Sequence, residues 1–244
     1  MLEGGHGPGV PAEMVLNRDF RGRITGLAYF GMQLVLAVDD DAALDAFAIE
    51  TRKHRGLRSF VGTQDAVAGL WLRVRDWHAP PSIARDTQPL YAVTPEALRD
   101  PGPDVDVRRA RDEDADLVIE HSAQMMLGEL GFDPRAGRAG YGAMIRHGIA
   151  LGSWWVWTSG GALRFQCNVG PRSAATAQLQ GVWTPPDQRG NGYAALALSA
   201  VARRLFATET TLSLYVNDFN APAIALYERL GFARVGTFAT YLFP

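Results

Sequence analysis

The stretch GVWTPPDQRGNGYAALALSAVARRLF, residues 181 to 206, passes from apolar strand-like sequence through a tight polar turn into a long run of helix formers. A strand that feeds a helix through so short a turn belongs to a layered arrangement of helices on a sheet. Gly190 and Gly192 stand at the helix mouth, where each would cost about 1 kcal/mol against alanine if it lay inside the helix. Backbone geometry supplies a reason for them. Glycine lets the chain take positive φ and come close to a ligand. A helix N-terminus exposes unbonded N–H groups and about half a positive charge. Together these make a cradle for phosphate, and Arg189 adds a permanent charge and a bidentate donor. No Lys-Ser/Thr pair follows Gly192, and the third glycine of G-x-G-x-x-G is missing, so neither common nucleotide loop fits. On spacing alone, an ordinary glycine turn fits as well.

The chain has 244 residues, 47% apolar and 20% charged, with a formal net charge of −2. With no basic excess, neither nucleic acid nor an anionic membrane is an expected partner, and a bound anion has to be held by local groups. Cys167 is the single cysteine. It excludes an intrachain disulfide, fits a reducing compartment and reads as a small core residue on a strand. No zinc-type Cys/His spacing occurs, so no metal is expected. No run approaches the ~18 apolar residues of a membrane span, and residues 1–13 read as a flexible start without a signal-peptide core. A soluble, cytoplasmic protein is the expectation.

Strands are expected at AEMVL, ITGLAYF and MQLVLAV, forming a meander. A helix follows with Asp41 as N-cap, a stripe of Leu44, Phe47, Ala48 and Thr51, and a stop at Gly56. RSFVG reads as a strand, TQDAVAGLWLRVRDW as a helix with Ala68, Trp71, Leu72 and Arg75 on one face, and PLYAV as a strand. TPEALRDPGPDVD crowds three prolines and a glycine, which places a domain boundary near residues 95–104. Beyond it the order is β, α, α, β, β, β, α, β, α, β, with a hairpin turning at Ser159-Gly160-Gly161 and a helix capped by Asn220 and stopped by Gly231. The fold class is α+β with a mixed sheet. The halves echo one another in element order, which either a duplication or generic α/β order explains. The first half has Asp39, Asp40 and Asp41 where the second has its glycine turn, and those acids would repel phosphate.

Arg189-Gly190-Asn191-Gly192-Tyr193-Ala194 matches the R/Q-x-x-G-x-G/A signature of the Gcn5-related N-acetyltransferase (GNAT) superfamily. Asn220 to Phe232, NAPAIALYERLGF, resembles its second signature, N-x-x-A-x-x-L-Y-x-x-x-G-F. Two motifs in the right order are more specific than either alone, and the resemblance covers residues 104–244. The whole chain also resembles two-part bacterial proteins that join an uncharacterised N-terminal domain to a GNAT domain. The resemblance implies a GNAT domain over 104–244, preceded by a smaller α/β domain over 1–96 of unknown function, either a degenerate GNAT-like half or an unrelated α/β unit. Lacking the glycine turn, it is expected to bind no CoA and to wall the acceptor cleft or form a dimer contact.

What the resemblance implies for the site is specific. The cosubstrate is acetyl-CoA, its diphosphate held by backbone N–H groups of Arg189, Gly190, Asn191, Gly192, Tyr193 and Ala194. The strand end Val182, Trp183 and Thr184 runs beside the pantetheine arm, and Asn220 bonds to the cosubstrate. Gly181 and the two prolines after Thr184 predict a bulged or splayed strand end there. Tyr227, on a helical face with Ala223, Leu226 and Leu230, is the acid for the departing thiolate. The acceptor is an amine that attacks the thioester directly. Glu129 is the first candidate for its base, ahead of His121 and Tyr141, while Gln178 and Gln180 are unable to act as bases. The Trp154, Trp155 and Trp157 cluster reads as sheet packing or an aromatic wall. Arg203 and Arg204 read as solvated, with a contact to the 3′-phosphate of CoA as the alternative. A non-catalytic acyl-CoA-binding module is the competing function.

Overall fold

The computed structural model describes residues 12–54, 56–136 and 140–244. The start read for residues 1–11 lies outside them. The described chain forms two compact units that interleave in sequence. One takes the described residues up to Leu90 together with Tyr215–Ala221 and Arg234–Pro244. The other takes Tyr91–Leu214 and Pro222–Ala233.

The first unit opens with the expected meander, β1 (Glu13–Arg18), β2 (Ile24–Phe30) and β3 (Gln33–Val38), paired antiparallel. Helix α1 (Asp41–Thr51) follows, then β4 (Ser59–Thr63), α2 (Gln64–Val74) and β5 (Ile83–Val93). β3 and β4 run parallel, as a crossover through a helix requires. β11 (Ala233–Leu242) lies antiparallel on β4, with Leu242 opposite Ser59. The strand order is β1-β2-β3-β4-β11-β5. Phe30, Phe47, Phe60, Leu70, Tyr241 and Phe243 belong to one buried cluster, so the C-terminal strand shares the core of the N-terminal elements.

The α1 stripe of Leu44, Phe47, Ala48 and Thr51 is buried as read, but the helix ends at Thr51, and the N-cap is Asp40, whose Oδ1 accepts from Ala43 N at 2.8 Å. Helix α2 buries Ala66, Val67, Leu70 and Val74. Leu72, grouped with Ala68, Trp71 and Arg75 in the sequence, is exposed. The β-branched and aliphatic residues outweigh that group in deciding which face turns inward.

The second unit holds β6 (Arg108–Arg109), α3 (Ala115–Leu130), α4 (Tyr141–Ala150), β7 (Trp154–Ser159), β8 (Ala162–Arg172), β9 (Thr176–Trp183), α5 (Tyr193–Leu205) and β10 (Thr211–Tyr215). Helix α6 (Ala221–Arg229) precedes β11. Strand order here is β10-β9-β8-β7-β6, with β9 and β10 parallel and the β7–β8–β9 pairs antiparallel. The fold is mixed α/β, and its element order beyond residue 105 is the one read from the sequence. Trp154 packs with Ile145, Ile149 and Val156 in the core beneath α3 and α4.

On β6, Arg108 donates twice to the buried Asp114, at 2.7 and 3.0 Å. Asp114 also accepts from Arg111 N at 2.7 Å. Arg108 first, against the opposing cost of burial, holds the Asp114 carboxyl below the usual carboxylate range. Among the described residues no helix is long and apolar enough to cross a membrane.

Candidate active site

Strand β9 parts from β10 at its C-terminal end and bulges against β8. Its parallel pairing with β10 covers only Thr176 to Gln178, opposite Thr211 to Ser213. Against β8, Gln166 faces Trp183 and Asn168 faces Gln180, so two steps on β8 span three on β9. That extra residue is a β-bulge, and it falls at Gly181, whose φ of +56° only glycine takes readily. The segment from Val182 to Thr184 therefore offers backbone groups on an open edge, as the Gly-Pro-Pro pattern predicted.

The chain then makes a 3-10 turn over Pro186–Gln188 and enters α5. Gly190 and Gly192 have φ of +80° and +77°. No side chain caps α5 at Gly192. Among the described residues, no hydrogen bond is donated by the backbone N–H groups from Gly190 to Ala194, whereas Arg189 N donates to Pro186 O at 3.4 Å. A Cβ at Gly190 or Gly192 would meet nothing within 4 Å, so the loop faces open space. The α1 N-terminus is different, since Asp40 closes it with its own carboxylate.

Side chains brace this loop. Arg189 Nε donates to Thr184 O at 3.1 Å, and its guanidinium lies 4.7 Å from the Trp183 ring centroid. Arg189 therefore folds back on the strand end and ties the turn to it. Asn191 Nδ2 donates to the carbonyls of Gln188 and Arg189. Arg164 on β8 donates to Gln188 and to Tyr193 Oη, while Trp157 meets the Tyr193 ring edge-on at 5.1 Å. Trp157 thus packs against the start of α5, and Trp155 carries the Arg109 guanidinium at 5.2 Å.

Tyr227 is buried, with Tyr91 and Phe232 as ring neighbours. Burial pushes its phenol pKa up, and the Glu129 charge pushes it further. No hydrogen bond to its hydroxyl is found among the described residues. Glu129, near the exposed end of α3, is close enough for that charge to be felt. Cys167 is fully buried on β8. Asn220 immediately precedes α6 and lies in the other unit, where its N–H bonds Asn217 O at 2.9 Å. Arg203 and Arg204, read as solvated or as contacts for the 3′-phosphate, are paired with Asp100 and Asp104 instead.

Sequence reading missed two features, a buried glutamine and a carboxylate–histidine cluster. Gln166, fully buried, donates to Ser122 Oγ at 2.9 Å and leaves its Oε1 unpartnered. A glutamine inside the apolar run ALRFQCNVG was the signal. His121, named above as a candidate base, is half-buried, and burial lowers its pKa. Glu13, Glu50 and His54 bring ligand-type atoms within 4.8 Å of one another in the first unit, with Lys53 bonded to Glu50 at 2.7 Å. Glu13 lies far in sequence from Glu50 and His54, whose i,i+4 spacing alone marks no site.

An open strand end leading through a glycine turn into an uncapped helix is a geometry suited to holding an anion. Residues 172–241 match a family model described as FR47-like protein, and residues 14–118 match one described as a domain of unknown function, DUF4081. No curated protein matches the sequence. Among solved structures, a Drosophila protein is similar with a TM-score of 0.68 and 15% identity, covering 96% of this chain and 80% of that one. A GCN5-related N-acetyltransferase from Kribbella flavida is similar with a TM-score of 0.60 and 17% identity, covering 95% and 89%. A tandem GNAT protein from the clavulanic acid biosynthesis pathway has a TM-score of 0.57 and 15% identity, covering 96% and 84%. The chain has the fold of the GNAT superfamily, as its two motifs implied.

Proposed function

We propose that the protein is an N-acyltransferase that moves an acetyl group from acetyl-CoA to an amine. The residues fit that cosubstrate: the loop offers several unbonded amides, no side chain caps the helix, and space opens before it. When bound, acetyl-CoA supplies an acetyl group already activated as a thioester. The amides from Gly190 to Ala194 bind its diphosphate, and Val182 to Thr184 align the pantetheine arm along the edge of β9 that β10 leaves free. A backbone N–H at the bulge polarises the acyl carbonyl, an effect worth about 3 kcal/mol for one such donor. Tyr227 Oη holds a proton for the leaving sulfur, and Glu129 takes the proton of the attacking amine.

The observation that carries this reading is the pairing of uncapped amides with a phenol that burial keeps protonated. A mere acyl-CoA-binding module has no use for that phenol. Isothermal titration with acetyl-CoA, followed by thiol-release assays over amines, amino acids and peptides, tests the proposal. Binding with turnover on one amine class is expected. Binding without turnover on any acceptor favours the binding module, and absence of binding removes both readings. Localisation in the cytoplasm, and a dimer contact through the first unit, are part of the same proposal.

A further inference from the structure

Beside the glycine turn lies a cavity of about 570 Å³, lined by Arg99, Asp100, Pro101, Pro103, Gly192, Ala195, Leu196 and Arg229. Three segments make it: the first turns of α5, the end of α6, and the proline-rich stretch that precedes β6. All belong to one compact unit. The stretch is anchored there. Arg99 N donates to Leu230 O at 3.0 Å, and Ala97 O lies so close to Gly231 that a Cβ would stand 2.0 Å from it. Gly102 sits against Leu196 on α5.

The charges in this cavity differ in their engagement. Asp100 is tied to Arg203 at 3.1 Å. Among the described residues, neither the Arg99 nor the Arg229 guanidinium makes a hydrogen bond or an ion pair. Two unpaired guanidiniums lining one cavity can receive a compact dianion, because each presents a planar fork of donors. In a chain of net charge −2, that local excess favours one particular kind of group.

We propose that Arg99 and Arg229 bind the 3′-phosphate of CoA, with Pro101, Pro103 and Leu196 covering the adjoining nucleoside. The inference rests on the function proposed above. It reassigns the phosphomonoester from Arg203 and Arg204, which Asp104 and Asp100 already occupy, to two arginines from segments about 130 residues apart. It also makes the proline-rich stretch a wall of the cosubstrate site.

The test compares CoA with 3′-dephospho-CoA, which lacks that phosphate alone, by isothermal titration of the full chain. The wild-type protein should bind CoA roughly tenfold or more tightly than dephospho-CoA, since charge-assisted contacts of this kind are among the strong ones. The double variant Arg99→Gln, Arg229→Gln should bind the two compounds equally, with its affinity for dephospho-CoA unchanged. Both side chains are exposed and unpaired, so folding should survive, and an unchanged melting temperature checks that it does. Persistence of the wild-type preference in the double variant overturns the assignment. Equal binding of both compounds by the wild-type protein overturns it too, while leaving the acyltransferase reading intact. Failure to bind either compound removes both.

Discussion

Replacing Tyr227 with phenylalanine deletes one oxygen from a ring that is already buried, so packing is kept and the proton is lost. The variant should bind acetyl-CoA within about twofold of wild type and turn over roughly 10² to 10⁴ times more slowly. Steady-state kinetics and titration read the two effects separately, and unchanged turnover would remove Tyr227 as the acid. Because burial raises its pKa above the ordinary value of about 10, its ionisation should add no falling limb to the rate profile between pH 7 and 9. The motif marked this residue, and periodicity alone said only that it pointed inward. Arg189 shows the reverse. Its charge was legible, but its use was not, since folding back onto Trp183 and Thr184 depends on a bulge that turns the strand end toward it. A capping register one residue off, Asp40 for Asp41, has a local cause: either aspartate offers an oxygen, and φ and ψ decide between them.

At the scale of elements, glycines of similar backbone angle should respond differently to alanine. Gly192 has φ of +77° and nothing within 4 Å of a Cβ, so Gly192→Ala carries only left-handed strain, about 1–2 kcal/mol. Gly231, at +92°, has the Ala97 carbonyl where a Cβ would go. Gly231→Ala adds overpacking of about 1–3 kcal/mol to the strain. It should lower the melting temperature by about 5 °C or more, and clearly further than Gly192→Ala does. Equal shifts would mean that the proline-rich stretch is not held against α6. The strands and helices of the second unit were readable because alternation, helical stripes and turn glycines agree there. The face of α2 was not fully legible, because Leu72 is large and apolar yet falls outside the stripe of Ala66, Val67, Leu70 and Val74, while Trp71 packs against the core.

For the whole molecule, the pairing of β11 with β4 matters most. The alternating sequence ARVGTFATYLF announces a strand but carries nothing that names its partner, so the return of the C-terminus to the first unit was invisible to sequence reading. Removing residues 234–244 strips Ala239, Tyr241 and Phe243 from the core around Phe60 and leaves the β4 edge bare. A fragment of residues 1–96 should therefore lack a cooperative thermal transition and aggregate, as an unpaired apolar edge does. A sharp two-state melt of that fragment would refute this. The same pairing has a consequence during synthesis. Ser59 leaves the ribosome about 180 residues before Leu242, its partner. At translation speeds of about 5–20 residues per second, the early half must wait roughly 10 to 40 seconds with a raw seam exposed, a vulnerable interval in which a chaperone would find its client.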